Sequence, residues 1–347
     1  MEYFSKPVFI RLEHKLNRLK VIIPVAGIGS RLRPHTHTQP KALVPVAGKP
    51  ILSHIVDNLI DAGISDFIFI LGYLGDKIES YVNATYPGIK TTFVVQQPRE
   101  GTGQAVWLAR NLINENDDII IALGDTVFDV DLKEIINQKH SSLGVKKVED
   151  PRNFGVVEAG DDGFISSAVE KPSIPKSNLA LVGLYRIKEA SRLMKALDEN
   201  IKNNVRTYDE YHLTDGINKL ISEGVKMKTF SVENWYDCGS RDRLLETNAV
   251  LLKKKNKKEK FSFENTIIIP PVSIAANCKI SNSIIGPNVS IGDKTIVNYS
   301  ILRDAIIGSY SEITNAVLHH SVIGSDASLH GLSQSLNLGD STEIDFS

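Results

Sequence analysis

The sequence predicts an α/β protein: a Rossmann-like, doubly wound mixed sheet followed by a short parallel β-helix. Three observations predict it. From Lys20 to about Leu252, apolar runs of strand length alternate with segments whose aliphatics recur at helical spacing. A glycine-rich, cationic loop follows the first of those runs. Beyond residue 266 the aliphatics step by six, with Ile285, Ile291 and Val297 as the clearest series.

Residues 1–19 lack the apolar centre of a secretory signal and read as an N-terminal extension. Val21, Ile22 and Ile23 form a buried strand that discharges into a loop carrying Gly27, Gly29, Ser30, Arg31, Arg33 and Lys41. Ile51, Ile55, Leu59 and Ile60 mark the helix after it. Residues 67–71 read as a strand, 76–82 as a short helix and 91–95 as a strand. Ala105, Leu108, Ala109 and Leu112 mark a helix, and 119–123 the next strand. Strands near 155–158, 179–185 and 227–232 interleave with helices over 189–199 and 213–222, completing one domain over 20–252. A helix from near Ser240 runs into the basic stretch 253–258, which reads as a solvated helix end and a linker over 253–265.

The β-helix reading covers 266–335. Ile307 and Ile313, then Ile323 and Leu329, repeat the six-residue step, and Gly286, Gly292, Gly308 and Gly324 each follow an aliphatic. About three coils fit between Ile267 and Leu329. Residues 336–347 read as a tail.

With 40 basic and 41 acidic residues in 347, charge is balanced, which excludes general nucleic-acid or membrane affinity; any phosphate binding must come from local clustering. Cys238 and Cys278 cannot form a framework of disulfides and show no metal-ligand spacing, so the expected compartment is the cytoplasm. No apolar run approaches the roughly 18–20 residues of a membrane span.

A strand, a glycine loop with cations and a helix are how an α/β sheet holds a polyphosphate: glycines let backbone amides approach and cations neutralise charge. A Walker loop is excluded, because Gly48-Lys49 has Leu43 where the first glycine belongs and Pro50 where a hydroxyl belongs. A dinucleotide fingerprint is weak, because Leu32 occupies its third small position. A plain turn would also account for Gly27-Ile28-Gly29 alone. The complete line is more specific: G-x-G-S-R-L-x-P-x-T, then P-K-A-L-x-P-V, then K-P. Gly27, Gly29, Arg31, Leu32, Pro34, Thr36, Pro40, Lys41, Pro45, Lys49 and Pro50 carry it. This strongly resembles the signature of the sugar-1-phosphate nucleotidylyltransferases, or NDP-sugar pyrophosphorylases. Ala26, where many members have another glycine, and Ser30, in place of Thr, depart from it. The Pro-Val-Ala-Gly spelling is similar to the bacterial uridylyltransferase branch.

The resemblance implies the nucleotide-diphospho-sugar transferase fold, a left-handed β-helix, and attack by a sugar-1-phosphate oxygen on the α-phosphorus of an NTP. Ala26, Gly27, Gly29, Ser30 and Arg31 would line the nucleotide, with Arg31 and Lys41 offsetting charge on the triphosphate. Gln96, with Gly101 and Thr102, resembles the base-reading segment of pyrimidine-using members; Gln97 is the rival for that role. Asp125, ending Leu-Gly-Asp, and Asp237, in W-x-D-x-G with Trp235, would share Mg²⁺. Glu170 and Lys171, from E-K-P, would bind sugar hydroxyls and sugar phosphate, with Gly155, Val182 and Trp235 lining the sugar. Phe154 replaces a frequent Tyr there. Cys238 reads as a buried spacer, and His35 and His37 as exposed loop histidines.

The expected reactants are dTTP or UTP and a hexose-1-phosphate, with glucose-1-phosphate first and a mannose-1-phosphate guanylyltransferase as the rival enzyme. A non-catalytic scaffold of the same fold is a different possibility. So is a bifunctional nucleotidyl- and acyltransferase, for which His319-His320 is the one hint. The prism and the family habit both suggest a homo-oligomer.

Overall fold

The computed structural model describes residues 18–255, 261–334 and 336–345; residues 1–17 and 256–260, from the extension and the basic linker, lie outside the described residues. The chain forms two compact units. One comprises Ile55–Trp235 with the chain up to Gly27; the other comprises Ile28–His54 with Tyr236–Ser347. These units cut across the sequence segments: the signature loop groups with the β-helix, not with the sheet from which it departs.

In chain order, β1 (Leu19–Val25) precedes a loop with three single 3₁₀ turns, a hairpin of β2 (Pro45–Val46) and β3 (Lys49–Pro50), and α1 (Ile51–Asp61). Then come β4 (Asp66–Leu71), α2 (Gly75–Thr85), β5 (Lys90–Val95), α3 (Thr102–Trp107) and β6 (Asp118–Ala122). β7 (Thr126–Asp129), α4 (Leu132–Asn137), β8 (Ser141–Lys147), β9 (Gly155–Ala159) and β10 (Ile165–Glu170) follow. The series ends with β11 (Leu179–Ile187), α5 (Ala190–Lys202), α6 (Leu213–Ser222), β12 (Met227–Ser231), β13 (Asn234–Asp237) and α7 (Arg241–Lys255).

The first unit is built on a nine-stranded mixed sheet, with path β10-β9-β11-β6-β1-β4-β5 and with β8 joining β11 and β12. β6, β1, β4 and β5 are parallel, whereas β11 runs antiparallel to β6, β8 and β9. Val21–Ile23 pair with Phe67–Phe69, and Val21 and Ile22 also with Ile120 and Ile121, so β1 is covered on both sides and reads as a continuous aliphatic run. This sheet carries the carboxyl ends of β1, β4 and β6 to one edge, where Ala26, Gly72 and Gly124 follow. The helix read over 105–112 stops at Trp107 and resumes as a 3₁₀ turn at Arg110–Leu112. β8 has no apolar start: Ser141 and Ser142 are fully buried, and Ser141 Oγ accepts from the Lys188 amide at 2.8 Å.

The second unit is organised by three columns of stacked aliphatics. Ile280, Val297, Ile313, Leu329 and Ile344 stack in register. So do Ile285, Leu302 and Leu318, and Ile291, Ile307, Ile323 and Leu338. All pairs are parallel, as a β-helix requires. The coils continue through Asn337–Leu338 and Glu343–Asp345, into the stretch the sequence pattern assigns to a tail. Leu338-Gly339 and then Ile344 repeat the same aliphatic, glycine and six-residue step, so the signal is present there too. Among the described residues no helix is long and apolar enough to cross a membrane.

Candidate active site

In the first unit, three glycines bring backbone segments together at the sheet edge. A Cβ on Gly72 would lie 2.6 Å from the Ala26 carbonyl, which also accepts from the Tyr73 amide at 3.2 Å. A Cβ on Gly124 would strike Val25 Cγ1 at 2.2 Å, so the turn presenting Asp125 passes directly over the end of β1. Gly183, at φ +83°, leaves 2.9 Å between a Cβ and Leu123 Cδ1, and its carbonyl accepts from the Leu123 amide at 2.8 Å. Val182 therefore lies beside the Leu-Gly-Asp turn. Gly27 has open space around its Cα.

Gln96 is buried, and its amide NH₂ donates to the Gly101 carbonyl at 2.9 Å and to Gln104 Oε1 at 2.7 Å. It braces the loop that carries Gly101 and Thr102, while Gln97 is exposed. That loop is fixed against a second segment. A Cβ on Gly101, at φ +107°, would lie 2.5 Å from the Tyr211 carbonyl, and one on Gly103 would lie 2.7 Å from the His212 carbonyl. Thr102 Oγ1 accepts from the Leu213 amide at 3.2 Å, and Arg206 joins the two segments through Glu100 at 2.6 Å and the Tyr211 ring at 4.1 Å.

The segment over 211–215 supplies the partners of Glu170. Thr214 donates to Glu170 Oε2 at 2.7 Å; His212 Nδ1 and Lys171 Nζ stand 3.9 and 4.0 Å from Glu170 Oε1. Gly155 closes the same space, since a Cβ there would lie 3.1 Å from Glu170 Oε2. Lys171 is exposed and sits in the left-handed region at φ +41°, an uncommon state for a non-glycine residue. Its amide donates to the Phe154 carbonyl at 3.0 Å and its carbonyl accepts from the Tyr208 hydroxyl at 2.9 Å, which hold that conformation. Phe154 meets Trp235 edge-to-face at 5.0 Å, so the absent hydroxyl leaves an aromatic wall intact. The indole N–H of Trp235 is buried without a partner. Burial first, then the charges of Glu170 and Asp125, push the Tyr185 phenol up.

Thr214, His212, Tyr185 and Asp215 carry no sequence signal of a role here. Thr214 and Asp215 fall in the first turn of α6, where such residues look like ordinary capping groups. Burial raises the Asp215 carboxyl above its ordinary value, against a Thr207 hydrogen bond and the neighbouring His212.

In the second unit, the signature loop is knit by Thr36. This residue is fully buried and donates to the Gly29 carbonyl at 2.8 Å. Gly29 is left-handed at φ +69°, and a Cβ on it would stand 2.9 Å from Lys41 Cβ and 3.0 Å from Thr36 Cγ2. Glycine is therefore required there, and the bend sets Lys41 behind Gly29 while Ser30 and Arg31 stay exposed. A Cβ on Gly239 would lie 2.7 Å from Asp237 Oδ1 and 3.0 Å from Arg31 Nη2, so Arg31 and Asp237 flank the same glycine. Asp237 is ion-paired with Arg243 and its side chain is 16% exposed. Cys238 is fully buried, as a spacer should be.

His37 is exposed, but His35 is not: it is 6% exposed and pairs through Nε2 with Asn337 Oδ1. The expectation of two exposed loop histidines is corrected for His35, because its partner is more than three hundred residues away in sequence. Burial lowers its imidazole pKa, against the Asn337 hydrogen bond and the charge of Asp340. Among the described residues no group of three or more His, Cys, Asp or Glu is arranged to hold a metal. Magnesium needs only one or two protein carboxylates when phosphate oxygens and water complete its shell, so hard donors such as Asp125 and Asp237 suit it.

The family model described as "Nucleotidyl transferase" matches residues 20–254. The chain is 31% identical over 340 residues, covering 90% of itself and 94% of the relative, to the low-salt glycan biosynthesis nucleotidyltransferase Agl11 of Haloferax volcanii. It is 36% identical over 255 residues to the bifunctional protein GlmU of Methanocaldococcus jannaschii, covering 72% of itself but only 59% of that relative. Glucose-1-phosphate thymidylyltransferase of Streptomyces griseus is 28% identical over 336 residues, covering 88% and 93%. Among solved structures, a Bacillus anthracis protein assigned as a glucose-1-phosphate thymidylyltransferase, in complex with sucrose, superposes with a TM-score of 0.58 at 29% identity, covering 70% of this chain and 97% of that one. A UDP-glucose pyrophosphorylase complexed with UDP-glucose gives 0.59 at 25% identity, covering 68% and 98%.

Proposed function

The chain belongs to the nucleotidyl transferase family, matched over residues 20–254, and we propose that within it the protein joins dTTP or UTP to a hexose-1-phosphate, glucose-1-phosphate first. Nucleotidyl transfer to a sugar-1-phosphate is the family chemistry; the base and the sugar are the proposal. An oxygen of the sugar phosphate attacks the α-phosphorus, forming one P–O bond as the bond to the β-phosphate oxygen breaks, and pyrophosphate leaves with the electron pair. No general base is needed, because the attacking oxygen is already anionic. Such transfers depend on positioning and on charge stabilisation.

Arg31 and Lys41 would hold the triphosphate and offset charge building on the leaving group. Lys171 would hold the sugar phosphate as a point charge, and Glu170, oriented by Thr214, would accept from sugar hydroxyls. Asp125 and Asp237 would hold Mg²⁺, which when bound draws charge from the phosphate oxygens. The choice of a pyrimidine rests on the names of the Streptomyces griseus relative and the UDP-glucose complex, since the Gln96 NH₂ is spent on bracing the loop at Gly101 and Gln104.

The observation that carries the reading is the loop around Gly29. A buried threonine that fixes a left-handed glycine, with Arg31 and Lys41 on the same loop, supports the reading of a polyphosphate site. The test is a matrix of dTTP, UTP, GTP, CTP and ATP against glucose-, mannose- and N-acetylglucosamine-1-phosphate, scored by released pyrophosphate. Release from dTTP or UTP with glucose-1-phosphate supports the proposal. Release from another pair alone rejects the substrate choice, and release from no pair rejects the enzyme reading.

A further inference from the structure

The signature loop is fastened to the β-helix at two places, one on each side of Lys41. On the near side, Asp340 uses one carboxylate oxygen to accept from the Thr38 hydroxyl and the other to accept from the Ser325 amide at 2.7 Å. His35 pairs with Asn337 in the same coil, and a Cβ on Gly339 would lie 3.0 Å from Pro34 Cβ. On the far side, Asn248 of α7 is fully buried and uses both ends of its amide. Its Oδ1 accepts from the Ala47 amide at 2.9 Å and from Ser290 Oγ at 2.7 Å, while its Nδ2 donates to the Asn288 carbonyl at 2.9 Å. Lys255 donates to the Ala47 carbonyl at 2.6 Å, and Gly48 passes so near the prism that a Cβ would lie 2.2 Å from Ser273 Oγ.

Between the two fastenings the fit is loose. A cavity of about 40 Å³ opens between loop and coils, lined by Gln39, Val44 and Pro45 on one side and Ile306, Val322 and Ile323 on the other. Interiors normally exclude such voids. Polar bonds on either side of that cavity join the bend to the coils.

We infer that the β-helix sets the position of the triphosphate loop, with Thr38–Asp340 and Asn248–Ala47 as positioning contacts that hold Lys41 between them. This rests on the reading of the loop as the triphosphate site. The last coils then serve nucleotide binding through the loop they hold, beyond capping the prism.

The experiment uses the full chain and compares Thr38→Val, Asp340→Ala and Thr38→Ser, with Arg31→Ala as the control for the underlying reading. Thr38 is exposed, so Thr38→Val and Thr38→Ser are expected to fold with an unchanged melting temperature, whereas Asp340→Ala, which also frees the Ser325 amide, is expected to lower it. Thr38→Val and Asp340→Ala should each raise the KM for the nucleotide about tenfold, the scale of one charge-assisted hydrogen bond. They should leave the KM for the sugar phosphate within about twofold, and should speed amide hydrogen exchange over residues 30–41 in the ligand-free protein. Thr38→Ser, which keeps the hydroxyl, should restore both readouts. Unchanged nucleotide KM and exchange in Thr38→Val and Asp340→Ala, beside a raised KM in Arg31→Ala, overturns the inference and leaves the triphosphate reading standing. Unchanged KM in Arg31→Ala overturns that reading, and the inference with it.

Discussion

Replacing Lys171 by Met removes its charge while keeping a stem of similar length, and should separate the two substrates kinetically. The side chain is 49% exposed and its nearest carboxylate oxygen, on Glu170, is 4.0 Å away. An ion pair of that kind contributes about 0–1 kcal/mol, so the fold should not depend on it. The left-handed backbone at φ +41° is equally unfavourable for Lys and Met, so strain cancels in the comparison. Against a sugar phosphate the same ammonium acts differently: a unit charge at 4 Å in an effective dielectric of about 20 is worth about 4 kcal/mol. Rehydration of an exposed ammonium and screening by salt reduce this to about 2 kcal/mol, or roughly 30-fold in affinity. The assay is steady-state pyrophosphate release with each substrate varied in turn. The KM for the sugar phosphate should rise roughly 30-fold and that for the nucleotide by less than about twofold, with an unchanged melting temperature. Equal losses for both substrates would refute the reasoning, because a charge at the sugar phosphate cannot weaken free nucleotide binding by the same factor.

Asp125→Asn should lower kcat by about a thousandfold or more with circular dichroism unchanged, since a metal held by phosphates and carboxylates loses a charged ligand; normal turnover would remove the aspartate from that role. Gly103→Ala should destabilise the protein by about 1–3 kcal/mol in urea unfolding, because its Cβ would lie 2.7 Å from the His212 carbonyl, a backbone atom that cannot swing aside. Asp215 gives a pH prediction. Its folded pKa is raised, so between the ordinary carboxyl value of 3.8 and the folded one the native state holds a proton that the unfolded chain has released. Stability therefore falls as pH rises through that window. Asp215→Asn should raise the melting temperature at pH 7 and lose that advantage below pH 3.8, and a constant difference across pH would contradict the burial argument.

The parts of the fold that can be read are those where one residue type repeats at the period of its own element. Val21–Ile23 are fully buried although successive side chains point to opposite faces of the sheet, so burial on both faces writes an unbroken aliphatic run into the sequence. The prism columns write a step of six. Where burial is achieved by pairing polar groups, no such pattern exists. Ser141 starts β8 fully buried with its hydroxyl accepting from the Lys188 amide, and Arg186 lies 1% exposed in β11 against Asp118 at 2.6 Å, yet both look like surface residues in isolation. The Leu338–Ile344 step is legible but easily missed, because Ser333-Gln334-Ser335 interrupts the aliphatic series just before it.

The candidate site shows the same division more sharply. Gly29, Thr36 and Lys41 are recognisable together because the hydrogen bond from Thr36 to Gly29 spans only seven residues, so one short motif contains both donor and acceptor. Glu170 is recognisable from its neighbours Lys171 and Pro172, but what orients it is Thr214, forty-four residues further on. Asn248 joins Ala47, two hundred and one residues away, to the coil at Asn288 and Ser290 and belongs to no motif. A motif records contacts made within a single bend of the chain, whereas the groups that fix the bend in space reach it through the tertiary fold. The motif residues of this candidate site are therefore visible in local spelling and the contacts that position them are not, which is why Thr38, Asp340 and Asn248 stand out only through distances between atoms remote in sequence.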